Sequence, residues 1–450
     1  MSNVPSTKQP PYLRGGLLLG SAPEMRRDPL GFLTDARRRY GDFVRFRLGP
    51  YRVHLLAHPD HIAHVLQKNP RNYLKDGYEH IKIVGNGLLA SEGNFWRHQR
   101  RMIQPAFHRD RLKNMANTMT DATEKMLLRW KTRDTSDPLD VDSEMSRLTL
   151  EITGRTLFGA EMGDRSSDFG GALQTVLNLG YHRTGRFLPV SIRIPTPSNR
   201  RYRAAVRTLD AVVRPLILER REGEEVKDDL LAMLLEARDS DTGEAMDEMQ
   251  IRDEAMTILT AGYETTARAL TWTWYLLDAN PEARVKLDAE LDRVLGGRTP
   301  GFDDLKKLSY TDMIFKESMR LMPPVWGLSR LVAEENVIDG YKVPKGSRVV
   351  ISQYVSHRHP DFWEDPEEFI PERFTAERSA GRPKYAYFPF SGGPRQCVGN
   401  NFAIMEAVLV LATVAQCYRL SLVPGRPVQP EPSFTLRPRY GMRMTLEYRK

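Results

Sequence analysis

Cysteine is almost missing from this chain of 450 residues, which has only Cys397 and Cys417. A helix carrying both would hold them nearly 30 Å apart at about 1.5 Å per residue. They therefore make no disulfide with each other, which suits a reducing compartment. Two thiols are also too few for a structural zinc site built on cysteine. Long apolar runs are missing as well. No stretch approaches the roughly 20 apolar residues that cross a bilayer, and Leu17-Leu18-Leu19 is short and bracketed by Gly16 and Gly20. The opening residues, with Pro5, Pro10 and Pro11, lack the apolar core and small-residue cleavage site of a secretory signal. A cytoplasmic protein without a membrane span is expected. Basic residues outnumber acidic ones by 66 to 58, a net charge of +8. That balance favours acidic partners. The charges are scattered and accompany no recognition motif, so nucleic acid is not expected.

What is present describes a folded domain. Hydrophobic residues make up 40% of the chain and charged ones 28%, enough apolar material for a large core. Asp28-Pro29 reads as a helix cap followed by proline at the first helical position, with Gly41 past the helix end. Val44, Phe46 and Leu48 alternate with Arg45 and Arg47, Gly49-Pro50 breaks the run, and Val53 and Leu55 resume it, which predicts a strand hairpin. Helical patterns fill roughly 98–280. A strand-rich patch follows at about 325–355, then an irregular segment to about 396, an apolar helix from about Asn400, and short strands. The expected fold is mainly α with small β-sheets: one large domain over 28–450, preceded by an N-terminal extension over 1–27.

The chemistry concentrates in Phe390-Ser391-Gly392-Gly393-Pro394-Arg395-Gln396-Cys397-Val398-Gly399. An irregular loop ends in a cysteine and an apolar helix begins at once. A thiolate there gains from the positive helix end and from free backbone N–H groups, which should lower its pKa. Gly393 and Gly399 would permit conformations and close approach that side chains forbid. Phe390 can shield the sulfur, and Arg395 can meet a carboxylate with a forked pair of bonds. Taken alone, Cys397 would read as a small buried apolar residue.

The surrounding pattern reverses that reading. These residues resemble the cytochrome P450 haem-binding signature, Phe-x-x-Gly-x-Arg-x-Cys-x-Gly, at all of its fixed positions. At roughly one in twenty per position, a chance match in a chain of this length is on the order of 10⁻⁴. The resemblance implies haem b, with Cys397 as the sulfur ligand to iron, Arg395 as a propionate partner, and Phe390 and Gly399 around the ligand. A thiolate ligand favours O–O cleavage.

Three further motifs follow the family's order. Ala261-Gly262-Tyr263-Glu264-Thr265-Thr266 lies in an apolar helical run from about Met249 to Asp278. It resembles the oxygen-activating motif. Gly262 would let a flat cofactor or O2 approach the backbone beside Ala261, Thr265 would hold a water, and Glu264 would relay protons. A buried threonine-rich helix with one loosened turn is the plainer alternative. Glu317-Ser318-Met319-Arg320 places Glu317 and Arg320 on one helix face. With Pro371-Glu372-Arg373-Phe374, it resembles the family's buried Glu–Arg–Arg network, which holds the cysteine loop. Trp96 and Arg100, four apart, resemble the family's propionate contact, and Arg330, after Pro323-Pro324, stands where another propionate arginine is expected.

By the same resemblance the chain is a haem-thiolate monooxygenase. It would use O2 to hydroxylate or epoxidise a lipophilic small molecule of terpenoid, fatty acid or polyketide type, as in secondary metabolism. A ferredoxin or flavodoxin with its reductase would supply electrons, docking on a basic face around Arg378, Arg382, Lys384 and Arg395. The substrate pocket would draw on Ile81, Val84, Leu88, Leu177, Phe187, Ala261, Val325, Trp326 and Phe434. A peroxide-using haem-thiolate isomerase or peroxygenase remains as an alternative, against which the intact Glu264-Thr265 pair argues. A non-catalytic haem sensor is the other. His54, His58, His61 and His64 look like metal ligands, but His58-Pro59-Asp60 reads as a helix start and no metal is expected. Gly15 to Gly20 is too loose for a nucleotide loop, with no strand before it.

Overall fold

In the computed structural model the described residues are 8–77, 82–134, 137–163, 165–184, 191–222, 229–239 and 243–449. Helices dominate, and the local signals act where expected. The helix Pro29–Tyr40 starts where the Asp28 carboxylate accepts the Gly31 amide at 2.9 Å, and it stops at Gly41, whose φ of 88° suits glycine. The hairpin Phe43–Leu48/Tyr51–Leu56 pairs Phe46 with Val53, so the alternating residues share one buried face. It opens a five-stranded sheet in the order Phe43–Leu48, Tyr51–Leu56, Arg348–Ile351, Leu328–Val332, Tyr73–Lys75. Residues set apart in the sequence as an extension run beside it: Arg45 and Leu13 exchange backbone bonds with Pro11 and Arg45.

The long helix Glu248–Ala279 begins with a reciprocal cap between Asp247 and Gln250 and packs along Val141–Leu157. The helix Asn400–Cys417 has the length and apolarity of a membrane span, yet 67% of it is buried inside the protein. Its apolar surface is covered by Arg109–Lys131 and the long helix, so it is a core helix. One continuous core joins these helices through Trp130, Trp272 and Trp274, while smaller clusters lie under the sheet. The segment 356–396 is mostly irregular, as its proline and glycine content predicts, carrying only single helical turns.

The histidine cluster has other work. His58 Nδ1 accepts the Asp60 amide at 3.2 Å, His61 approaches Asp339, and His64 meets Asn336. Among the described residues no group of three or more side chains could hold a metal ion.

Candidate active site: the cysteine loop and the long helix

The cysteine loop is closed on itself. The Cys397 amide donates to the Phe390 carbonyl at 3.0 Å, and Ser391 and Gly393 both take positive φ. Gly393 is demanded twice over: φ is 67°, and a Cβ would lie 1.8 Å from the Leu66 carbonyl oxygen. Gly399 is different from expectation. Its φ is −90°, open to any residue, and a Cβ would make ordinary contact with the Phe107 ring at 3.6 Å. Its contribution is its N–H, which points to the Cys397 sulfur. The expected lowering of the thiol pKa is also overturned. Burial pushes the Cys397 thiol up, outweighing the Gly399 N–H and the nearby Arg100.

Two breaks interrupt otherwise closed packing. Residues 251–260 and 266–274 of the long helix are all buried, but Ala261 is exposed and Gly262 and Thr265 are partly so. Cys397, at the mouth of the helix Asn400–Cys417, is likewise accessible although protein surrounds it. The space a Gly262 side chain would fill belongs to Thr153, at 3.2 Å. Glycine there lets the helix Val141–Leu157 come close, so the accessible face is made by Ala261 and Thr265.

Thr265 Oγ1 donates to the Ala261 carbonyl at 2.9 Å, and the helix runs through unbroken. Thr149 Oγ1 donates to the Tyr263 carbonyl at 3.0 Å. Glu264 is fully enclosed. Arg268 donates to both of its oxygens at 3.2 Å, and Thr435 Oγ1 donates at 2.9 Å. Burial pushes the Glu264 carboxyl up, but Arg268 and Thr435 outweigh it and hold it below the ordinary range. Arg268 also bonds Asp142. Sequence reasoning missed this pair, although Arg268 stands one helical turn after Glu264. It also missed Glu406, a buried carboxyl of the helix Asn400–Cys417 beside Thr266. Burial pushes that carboxyl well above the ordinary range, against the pull of Thr266.

Cations gather at one edge. Arg330 is 6% exposed, and its one side-chain hydrogen bond among the described residues goes to the neighbouring Ser329 carbonyl at 2.8 Å. Lys75 faces it across the sheet, and burial pushes Lys75 down to about 7. Arg395 bonds Glu92 and the Tyr73 carbonyl, and its guanidinium lies 5.7 Å from the Trp96 ring. Arg100 donates to the Gln396 carbonyl at 2.9 Å. Of these four buried or half-buried cations only Arg395 has an ion pair among the described residues, with Glu92, a donor set suited to an anionic group. The expected basic face loses two members here. Arg395 points inward, and Arg382 lies over the Trp363 ring at 4.0 Å and donates to backbone carbonyls. Arg378 pairs with Glu364, leaving Lys384 exposed.

Glu317, Arg320 and Arg373 do come together, all buried. Arg320 forks onto Glu317 at 2.7 and 2.8 Å, and Arg373 Nε reaches it at 3.3 Å.

The pocket residues divide. Leu88, Val325, Trp326 and Phe434 are partly accessible, whereas Val84 and Leu177 are sealed in the core and offer no accessible surface. Ile81 and Phe187 lie outside the described residues. The loop bearing Val84 and Leu88 is tied to the long helix by three consecutive side chains that sequence reasoning passed over. Arg252 Nη1 donates to the Ile83 carbonyl at 2.7 Å. The Asn86 amide donates to Asp253 at 2.8 Å and the Leu88 amide to Glu254 at 2.9 Å. Lys75 Nζ holds the far side through the Leu88 and Ser91 carbonyls at 2.7 and 2.9 Å.

Comparison with known proteins agrees with this geometry. The sequence model of the family described as Cytochrome P450 matches residues 10–445. Among similar proteins are a Cyclooctatin synthase of Streptomyces melanosporofaciens, 38% identical over 94% of this chain and 92% of its own length. A Cyclooctat-9-en-7-ol 5-monooxygenase of the same organism is 38% identical over 91% of this chain and 88% of its own. A Pentalenene oxygenase of Streptomyces avermitilis is 36% identical over 92% and 91%.

Proposed function

Because this chain belongs to the cytochrome P450 family and is a monooxygenase of lipophilic molecules, we propose that it inserts oxygen into a terpenoid, using haem b held at Cys397. The observation that carries the reading is the accessible thiol at the mouth of a core helix, matched by the accessible break at Ala261 and Thr265 in the long helix. Haem, when bound, supplies the activation of O2. Cys397 would hold its iron, with the Gly399 N–H tuning the sulfur. Arg330, Arg100, Arg395 and Trp96 would hold its propionate edge, where the buried cations gather.

The remaining residues handle protons and substrate. Thr265 Oγ1 bears the exchangeable hydrogen on the accessible wall and now shares it with the Ala261 carbonyl. Glu264 is kept ionised by Arg268, so at rest it holds no proton. We infer that it passes protons inward when the Arg268 contact loosens. Leu88, Val325, Trp326 and Phe434 give the substrate an apolar surface, which suits the terpenoid-type names of the relatives. Electrons would come from a ferredoxin or flavodoxin with its reductase, in a cytoplasmic setting. With Arg395 and Arg382 turned inward, the docking cations would be Lys384, Arg378, and the exposed Arg97 and Arg109 beside the helix that touches the cysteine loop.

The test is a reduced-CO difference spectrum of the purified protein, followed by titration with a terpenoid library. A thiolate-type band and spin-state shifts with terpenoids are expected. A colourless protein, or a band typical of imidazole ligation, would overturn the assignment to Cys397.

A further inference from the structure

Three leucines stand clear of the protein at its N-terminal edge, on a loop built to hold them there. Gly16 and Gly20 exchange both backbone hydrogen bonds, each at 2.9 Å. Gly20 has a φ of 61°, and a Cβ on it would lie 2.2 Å from the Arg47 carbonyl oxygen. A Cβ on Gly15 would lie 2.4 Å from the Gly20 carbonyl carbon. The Arg47 guanidinium reaches across to the carbonyls of Gly16, Leu17 and Leu18. This bracing fixes the backbone and leaves the side chains outside. Leu17 is 92% exposed, Leu18 84% and Leu19 46%. Leucine is normally among the buried residues, and adjoining exposed apolar side chains mark a contact surface.

The rim identifies the contact. Segments 12–28 and 43–52 carry Arg14, Arg26, Arg27, Arg45, Arg47 and Arg52 against Glu24 and Asp28. The helix Ala22–Arg27 follows the loop directly, and the hairpin pairs Arg47 with Arg52 beside it. None of the six arginines has an ion-pair partner among the described residues. Tyr12 and Tyr51, 43% and 38% exposed, complete the surface. A second copy of this chain would set these arginines against their like. An acidic soluble protein would answer the charge and leave the leucines bare. Leucines at a tip, tyrosines behind and cations around them match the layers of an anionic bilayer surface: acyl boundary, headgroup level and phosphate.

We propose that this edge is a peripheral docking surface for anionic phospholipid membranes, with Leu17, Leu18 and Leu19 inserted at the acyl boundary. It would bring the enzyme to the phase in which a lipophilic substrate collects. The surface stands on its own observations and does not depend on which substrate is used.

The haem-loaded full chain is sedimented with vesicles of phosphatidylcholine alone and of phosphatidylcholine with an equal share of phosphatidylglycerol. It is expected to sediment with the anionic vesicles and to be released by high salt. L17S/L18S should weaken that binding about tenfold with its reduced-CO spectrum unchanged, since neither side chain is buried. R14S/R26S/R27S, which leaves the loop alone, should erase the preference for anionic over neutral vesicles. No sedimentation of the parent chain, or equal binding by both variants, would overturn the proposal. So would a dimer in light scattering that L17S/L18S converts to monomer, because the leucines would then serve self-association.

Discussion

Replacing Glu317 with glutamine should loosen the cysteine loop without touching it. Glu317 and Arg320 are both 0% exposed. The Glu317 carboxylate accepts from Arg320 at 2.7 and 2.8 Å, from Arg373 at 3.3 Å and from the Ile370 amide at 2.9 Å. The other donors of Arg320 go to the carbonyls of His357, Pro366 and Glu368, at 3.0, 2.6 and 2.8 Å. Arg373 reaches the carbonyls of Glu364 and Asp365. One carboxylate thus bonds two guanidiniums that between them gather the irregular segment leading to Cys397. Glutamine keeps the shape but turns an N–H toward a cation and leaves two buried positive charges unbalanced. Breaking a buried pair from one side costs about 3–5 kcal/mol, a large part of the 5–15 kcal/mol that separates a folded domain from its unfolded chain. Urea unfolding, followed by haem absorbance and far-ultraviolet circular dichroism, should show a midpoint lower by about 1 M at unchanged slope. The double variant Glu317→Gln/Arg373→Gln should lose less than the sum of the two single changes. A single-variant midpoint within about 0.2 M of the parent, or strict additivity in the pair, would refute the assignment.

Other outcomes follow from the site. Thr265→Ala should keep its haem but cut product formed per electron consumed by about tenfold or more, measured as product against reductant oxidised; unchanged coupling would remove Thr265 from proton handling. Gly393→Ala meets both a left-handed backbone and the Leu66 carbonyl, so the ratio of haem to protein absorbance should collapse, and a fully loaded variant would contradict the loop geometry. His357 accepts the Phe388 amide at 2.9 Å, and burial, with Arg320 and Arg358, pushes it down from 6.5 to about 3. The folded chain then binds fewer protons there than the unfolded chain. Its stabilisation is complete above pH 6.5 and drains away as pH falls toward 3. Between pH 7.5 and 5 this amounts to about 2 kcal/mol. His357→Gln should flatten that part of the urea-midpoint profile, and parallel profiles would exclude the group. Asp253→Ala with Glu254→Ala should free the loop at Leu88, raising KM for a bulky substrate more than it lowers kcat; a selective fall in kcat alone would point elsewhere.

The parts of the site legible in the sequence are those fixed by short spacing. The loop ending at Cys397, the Glu317–Arg320 turn and the Glu264-Thr265 pair each occupy a few residues, and local geometry places them. Arg268 was within reach of the same reasoning, one turn from Glu264, but its second carboxylate, Asp142, is 126 positions away and is joined to it only by helix packing. Burial was the property least legible. The position of Cys397 at a helix mouth argued for a lowered pKa, yet desolvation reverses the sign. Arg395 and Arg382 counted as surface cations because an arginine's long stem fits a surface as readily as an interior; here their forks turn inward to Glu92, carbonyls and the Trp363 ring. Gly262 shows the same gap, since only the packed helices reveal that its missing side chain makes room for Thr153. The fold itself was readable because its caps and alternations are local, as at Asp28 and in the first hairpin.

The tether from Arg252, Asp253 and Glu254 to residues 83–88 has a mechanical implication. Glu254 stands seven residues before Ala261, about two turns along one rigid rod. Were a substrate to lift or press Leu88, it would pull on the same helix that carries Thr265, so arrival of the guest and alignment of the hydroxyl would become a single movement.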